Sequence, residues 1–141
     1  MFTAVRQSIV ILVLPLAALG CTAPPERPSV EPQARLFLDC VKNSDGNSAY
    51  ALLSSDYLAR LSDDEKKNKA LKVPTWKIKE ADQVSWGMGN ATHPTNNEAQ
   101  FQGSIDVLSD GQHRSYKFHL HLKHQMGWKV DLFTVETPVK K

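Results

Sequence analysis

Two histidines separated by one residue have the spacing that best fits metal chemistry in this chain. His119 and His121 flank Leu120 in an alternating segment, so both imidazoles project from one face of a strand. The strand register derived below sets Asp131 beside His121. Two imidazoles and a carboxylate suit a divalent metal. These residues fall on the polar face of the predicted sheet, however, and a metal site needs supporting partners. We therefore keep the three only as a candidate and expect neither metal nor cofactor.

A second set of residues could line a binding pocket. Five large aromatic side chains occupy positions predicted to face inward: Trp76, Phe101, Tyr116, Phe118 and Trp128. A pocket between a sheet and its helices, lined in this way, would take a small apolar ligand. Catalysis there would also require an inward carboxylate or a His–Asp pair within reach of the substrate. No predicted inward position is acidic, so we expect no catalytic residue and keep a cavity enzyme as the alternative.

The N-terminal segment carries the pattern of an export signal. Arg6 precedes an apolar stretch over residues 9–19, which is shorter than the roughly 20 residues that span a bilayer. Gly20-Cys21 then resembles the lipobox of bacterial lipoproteins, although Ala18 stands where that motif usually has Leu. The resemblance implies cleavage between Gly20 and Cys21 and lipid attachment to Cys21.

The segment after the cysteine is predicted to be a tether. Residues 21–32 contain four prolines, which favour a semi-extended chain. Residues 1–20 are then a signal peptide, and 33–137 form one domain. In Gram-negative lipoproteins an Asp after the cysteine favours retention at the inner membrane. Thr22 occupies that position here, so we expect the protein to be anchored in the outer membrane and to face the periplasm.

The charge balance and the cysteine content argue against nucleic-acid binding and against a cysteine nucleophile. Removing residues 1–20 leaves 16 basic and 15 acidic side chains, and this balance gives no electrostatic argument for nucleic-acid binding. With Cys21 lipidated, Cys40 is a lone cysteine within an apolar helical pattern. It is predicted to be a small buried hydrophobe rather than a nucleophile.

The first half of the mature chain is predicted to be helical. Ala34, Phe37, Leu38 and Val41 have the spacing of one helix face, within a helix over 31–43. Further helices are predicted over 47–53 and 55–61. Ser62 and Glu65 have the spacing of a capping box and begin a fourth helix, which ends near Leu71 before Pro74.

From Val73 the apolar pattern changes to a period of two. A strand is predicted around Trp76 and Ile78, continuing or restarting at Val84 and Trp86. Three more strands follow, over 99–107, 116–122 and 128–132. Asp110-Gly111 is a strong two-residue hairpin turn, and Gly127 falls in the left-handed position of the next turn.

The turns fix the strand register. The first hairpin pairs Phe101 with Leu120, Ile105 with Tyr116, Gln100 with His121 and Gln102 with His119. The second pairs Leu122 with Val130 and Leu120 with Leu132. One apolar face then crosses three strands. In this register Phe133 and Val135 project on the polar face near His119, where an apolar pair could seat a partner or a second copy.

Helices followed by an antiparallel sheet indicate an α+β fold. Four segments carry a family resemblance: the helical Ala34-Arg-Leu-Phe-Leu-Asp-Cys-Val, Tyr50-Ala-Leu-Leu-Ser, the strand Tyr116-Lys-Phe-His-Leu-His-Leu and Gly127-Trp-Lys-Val. Through them the chain resembles the nuclear-transport-factor-two-like (cystatin-like) superfamily, in particular its small bacterial lipoproteins of unknown function. The resemblance covers roughly 33–135 and implies helices packed on a curved sheet, forming a cone with a cavity.

Fold alone does not fix function. We expect a non-catalytic, periplasm-facing binding or interaction module of the cell envelope. Its expected partners are the membrane, through the lipid anchor, and an envelope protein or small apolar ligand. The alternative is a cavity enzyme of the ketosteroid-isomerase or dehydratase type acting on a small apolar substrate.

Overall fold

A computed structural model describes residues 28–76 and 83–137. Four helices precede four strands: α1 (Glu31–Lys42), α2 (Gly46–Ala51), α3 (Ser55–Arg60), α4 (Asp63–Asn68), β1 (Gln83–Met88), β2 (Glu98–Ser109), β3 (Gln112–His124) and β4 (Trp128–Val135). This is the predicted α+β order. The predictions for the signal peptide, for Cys21 and for the strand at Ile78 lie outside the described residues.

Side-chain caps set where the short helices begin. The Asp45 carboxylate accepts the Ser48 amide at the start of α2, and the Ser54 hydroxyl accepts the Tyr57 amide at the start of α3. The capping box predicted for α4 is confirmed: Ser62 Oγ accepts the Glu65 amide, and the Glu65 carboxylate accepts the Ser62 amide. Each cap satisfies amides that have no partner inside the helix.

The four strands form one antiparallel sheet in the order β1-β2-β3-β4. The predicted pairing of β2 with β3 is confirmed throughout, including Phe101 with Leu120 and Ile105 with Tyr116. Asp110 and Gly111 have φ angles of 51° and 73° in the connecting turn. Such positive angles match the right-handed twist of the flanking strands, which is why this dipeptide fixes the register.

The predicted strand at Trp76 is wrong for the residues described. Residues 73–76 form a bend and a turn, in keeping with Pro74, which has no amide hydrogen for a strand ladder. The strand that carries Val84 and Trp86 is β1, as expected. The Trp86 indole donates to the Asp39 carboxylate on α1 at 3.0 Å. This bond ties the outer strand to the first helix.

The core lies between α1 and the sheet. Phe37 packs edge-on against Phe133 with ring centroids 5.2 Å apart, and Phe118 lies 6.0 Å from the same ring. Cys40 is buried on α1, and burial, with Asp45 and Asp39 nearby, raises the pKa of its thiol. In the part of the chain that the structure describes, no helix has the length and apolar composition needed to cross a bilayer.

The free edge of β4 is covered by the chain around α3. The Ser54 amide donates to the Val130 carbonyl at 2.7 Å, and the Val130 amide donates to the Leu52 carbonyl at 2.8 Å. Further along, the Tyr57 hydroxyl donates to the Phe133 carbonyl at 3.2 Å. Covering an edge strand in this way blocks pairing with other chains, and it also brings Ser54 against β4.

Candidate functional site

A β-bulge at Asp131 determines which side chains face outward on β4. His121 pairs with Leu132 and Leu122 pairs with Val130, so Asp131 is an extra residue without a partner in the ladder. Because of this extra residue, the side chains of β4 after Asp131 lie on the opposite sheet face from the one that regular alternation would give them. Leu132 is 43% exposed on the polar face, while Phe133 is 3% exposed in the core.

Two predictions are corrected by this bulge. Leu120 pairs with Phe133 rather than with Leu132. Phe133 and Val135 therefore do not project on the polar face: Phe133 is buried, and Val135 pairs with Phe118 and packs against the core. The pairing of Leu122 with Val130, which precedes the bulge, is confirmed.

The carboxylate of Asp131 is buried and surrounded by donors. Ser54 Oγ donates to its Oδ1 at 2.8 Å, and Lys123 Nζ lies 3.1 Å from its Oδ2. Arg60 donates to the Asp131 backbone carbonyl, and its guanidinium lies 3.9 Å from Oδ2. Burial alone would raise the pKa of Asp131, but the hydrogen bonds from Ser54 and Lys123, with the charges of Lys123 and Arg60, outweigh it and lower the pKa. The group is therefore a carboxylate at neutral pH.

His121 lies between two carboxylates without bonding to either. Its Nδ1 is 3.8 Å from Asp131 Oδ2, and its Nε2 is 3.8 Å from Glu98 Oε1. Both distances exceed hydrogen-bond length, and Nε2 is buried without a hydrogen-bond partner. His119 has a different carboxylate partner, since its Nε2 lies 3.1 Å from Glu136 Oε1.

The structure thus brings together only two of the three candidate metal ligands. His121 and Asp131 are neighbours, whereas the ion-pair partner of His119 is Glu136. Within residues 28–76 and 83–137, no three His, Cys, Asp or Glu side chains are grouped so that they could hold a metal ion. Lys123, 3.1 Å from Asp131, already supplies the positive charge that this carboxylate needs.

The five aromatic residues predicted to line a pocket lie in separate places. Phe101 and Phe118 are buried in the core, Tyr116 is half-buried on β3, Trp76 borders a surface depression beside α4, and Trp128 lies at the start of β4. The phenylalanines pack in the core beside α1, although Phe101 also lines a depression on the outer face and Trp128 lines another beside Pro28. The aromatic pattern identified core residues, which share the same apolar character as pocket residues.

A small depression on the polar face does collect several predicted residues. It has a volume of about 220 Å³ and is lined by Gln100, Phe101, Gln102, His119, Leu120, His121 and Leu132. Gln100 lies opposite His121 and Gln102 opposite His119, as the sequence predicts. Two amides and two imidazoles around an exposed leucine can hydrogen-bond a partner and bury apolar surface at the same place.

The sequence analysis missed several polar residues of this region: Ser54, Arg60 and Lys123 around Asp131, and Glu98 and Glu136 beside the two histidines. Ser54 and Arg60 are more than 70 positions from Asp131 in the chain, so no local spacing connects them. A signal for the bulge was present, because Phe133 and Val135 continue the apolar alternation one position out of phase with Val130.

No protein-family model and no curated protein matches the chain. Solved structures do. A ketosteroid isomerase-like protein from Erwinia carotovora atroseptica SCRI1043 is 12% identical over 79% of this chain and 95% of its own, with a TM-score of 0.55. The fold is nuclear-transport-factor-two-like. An NTF-2 like protein of unknown function from Shewanella oneidensis MR-1 is also 12% identical, over 75% of this chain and 94% of its own, with a TM-score of 0.52.

At such low identity the likeness shows the nuclear-transport-factor-two-like fold and nothing about activity. The predicted architecture of helices on a curved antiparallel sheet is confirmed. This fold is compatible with binding and with catalysis, so the choice between them rests on the side chains of this chain.

Proposed function

We propose that this protein is a lipid-anchored, periplasm-facing binding module of the bacterial envelope and that it is not an enzyme. The observation that supports binding is the exposed Leu132 in the depression on the outer face of the sheet. The bulge turns this leucine outward, beside the hydrogen-bonding side chains of Gln100 and His121. An apolar group ringed by hydrogen-bonding side chains suits contact with another protein better than contact with water alone.

A small apolar ligand inside the cone is the less favoured partner. Phe37, Phe101 and Phe118 are all nearly inaccessible to solvent in the space between α1 and the sheet. A ligand would have to displace these packed rings, and cores resist such rearrangement because their side chains are close-packed. We therefore place the contact surface on the outer face of the sheet and name an envelope protein as the partner.

A cavity enzyme would need an acid or base in the interior. Tyr57 is buried with its hydroxyl against β4, and burial raises the pKa of that hydroxyl to about 12. That hydroxyl also donates to the Phe133 carbonyl. A phenol that holds its proton at neutral pH and is already hydrogen-bonded is a poor general base. The buried carboxylate of Asp131 is already engaged by Ser54 and Lys123.

The anchoring half of the proposal rests on Gly20-Cys21 after the apolar stretch. Cys21→Ser removes the thiol that would carry the lipid. We expect this variant to leave the membrane fraction or to accumulate unprocessed, because one or more acyl chains are needed for stable attachment. A Cys21→Ser protein that partitions into detergent as the unaltered protein does would contradict lipid anchoring.

A matched pair of variants tests the proposed contact surface at Leu132. Leu132 and Leu108 are similarly exposed, at 43% and 39%, but Leu108 lies near the far end of β2. A partner cross-linked to the full-length protein in intact cells should be lost with Leu132→Lys and retained with Leu108→Lys. Loss with both variants, or with neither, would contradict a contact surface centred on Leu132.

A further inference from the structure

The place where the chain enters the domain is fixed by one tryptophan. The Trp128 indole donates to the Pro28 carbonyl at 2.8 Å. Trp128 is itself held edge-on to His124, with ring centroids 5.2 Å apart, and Val30 is already buried in the core. The segment before α1 is thus attached to the start of β4.

The attachment limits how far this end of the domain can lie from a lipid anchor. This step rests on the proposed lipidation of Cys21. Six residues separate Cys21 from Pro28. At about 3.3–3.6 Å per residue, the fully extended chain between the two α-carbons spans at most about 25 Å. The end of the domain that carries Trp128 is therefore held beside the bilayer.

The same end of the sheet presents an uncovered apolar side chain. The turn between β3 and β4 consists of Gln125, Met126 and Gly127, and it is closed by a 2.9 Å bond from the Gln125 amide to the Gly127 carbonyl. Met126 has a φ angle of 55° and is fully exposed. Its thioether side chain projects from the turn with nothing of the described domain packed on it.

The two hairpin turns lie at opposite ends of β3. A strand of 13 residues is about 40 Å long at 3.3 Å per residue. The Asp110-Gly111 turn is therefore the distal turn, held well away from the anchored end.

We propose that the β3–β4 turn is a membrane-contacting tip, whose partner is the phospholipid surface that holds the anchor. Met126 enters the boundary between headgroups and acyl chains, where an apolar side chain gains by leaving water. Lys129 Nζ donates to the Ala51 carbonyl, a neutral acceptor, so its charge can also attract lipid phosphates. The contact orients the domain so that the distal turn points away from the bilayer.

Site-specific quenching tests this orientation. The full-length protein is purified from membranes in a Cys40→Ala background and placed in phosphatidylethanolamine–phosphatidylglycerol vesicles that contain a nitroxide-labelled lipid. An environment-sensitive fluorophore is attached at Met126→Cys or, as the matched control, at Leu108→Cys near the distal turn. We expect several-fold stronger quenching at position 126 than at position 108.

Each other outcome has a distinct meaning. Acylated protein that floats with the vesicles but shows equal quenching at the two positions overturns the membrane-contacting tip and leaves the anchoring intact. A label at Met126 that responds to an added membrane-protein extract, but not to lipid, also overturns it. Purified protein without acyl groups overturns the proposed anchoring, and this inference with it.

A third variant tests the tether attachment. Trp128→Phe keeps a large ring in place but cannot donate to Pro28. We expect the ratio of quenching between positions 126 and 108 to fall, because Pro28 is then no longer held against Trp128 and the chain is attached only from the buried Val30 onward. An unchanged ratio would overturn the role assigned to this hydrogen bond.

Discussion

The carboxylate in the β-bulge offers the sharpest test of the energetics, through Asp131→Asn. Asparagine keeps the size of the side chain, and its oxygen can still accept the hydrogen bond from Ser54. Its amide group, however, replaces the charged oxygen that lies 3.1 Å from Lys123 Nζ. The substitution therefore removes the negative charge that faces Lys123 and Arg60 and places a donor against donors, with little change in shape.

The magnitude follows from the burial of this group. The Asp131 side chain is 5% exposed and that of Lys123 is 31% exposed, so solvent screens their interaction only in part. A hydrogen bond to a charged group contributes about 1.5–3 kcal/mol. We expect Asp131→Asn to lower the free energy of unfolding by about 2 kcal/mol at pH 7, which corresponds to about 10 °C in melting temperature for a domain of this size.

The pH dependence has a definite sign. The pKa of Asp131 is lowered in the folded protein, so its contribution is fully present above the unfolded-state pKa of about 3.9. The contribution is lost as the pH falls through the folded-state pKa. Urea unfolding of both proteins between pH 7 and pH 2 should show a constant difference in stability down to about pH 4, which then closes.

A matched control separates this effect from the general loss of a negative charge. Asp106 lies on the same sheet, and its nearest ionic partner is His113 at 3.9 Å. Asp106→Asn should change stability by less than about 0.5 kcal/mol. Equal stability of Asp131→Asn and the unaltered protein at pH 7 would refute the reasoning, as would a difference that persists unchanged at pH 2.

Three further tests concern the core packing and one helix cap. A Cβ atom at Gly103 would clash with the Gly87 carbonyl and lie 2.6 Å from the Phe118 ring. Gly103→Ala should therefore lower the free energy of unfolding in urea by about 2 kcal/mol. Gly87 has open space around it, so Gly87→Ala should be nearly neutral. Cys40 should react slowly with thiol reagents in the native protein, and Cys40→Ala should cost about 1 kcal/mol; rapid labelling would contradict its burial. Ser62→Ala removes a helix cap and should lower stability by about 1 kcal/mol, an effect that Ser62→Thr should largely avoid.

The parts of the fold that sequence predicted are those governed by local geometry. The Asp110-Gly111 turn fixes the register of its hairpin, and alternation then assigns every side chain on β2 and β3 to a face. The capping box at Ser62 is likewise a contact within four residues. In each case the interacting groups are close in the chain, so their spacing carries the information.

The parts that sequence did not predict depend on distant contacts or on a single irregular residue. The bulge at Asp131 exchanges the sheet faces on which Leu132 and Phe133 lie. In the sequence, Val130 and Leu132 also fit a regular strand without a bulge, so the pattern does not choose between the two. Ser54, which donates a hydrogen bond to the buried Asp131 carboxylate, lies 77 positions away in the chain. Continuing the regular alternation past the bulge therefore predicted an exposed Phe133, whereas the exposed residue is Leu132.

Intact-mass spectrometry of the full-length protein purified from membranes tests the proposed anchoring most directly. The prediction is a chain that begins at Cys21 and carries added acyl groups, with all of its extra mass located on the first residue after fragmentation. A chain that retains residues 1–20, or one that begins at Cys21 with an unmodified thiol, would contradict the lipid anchor.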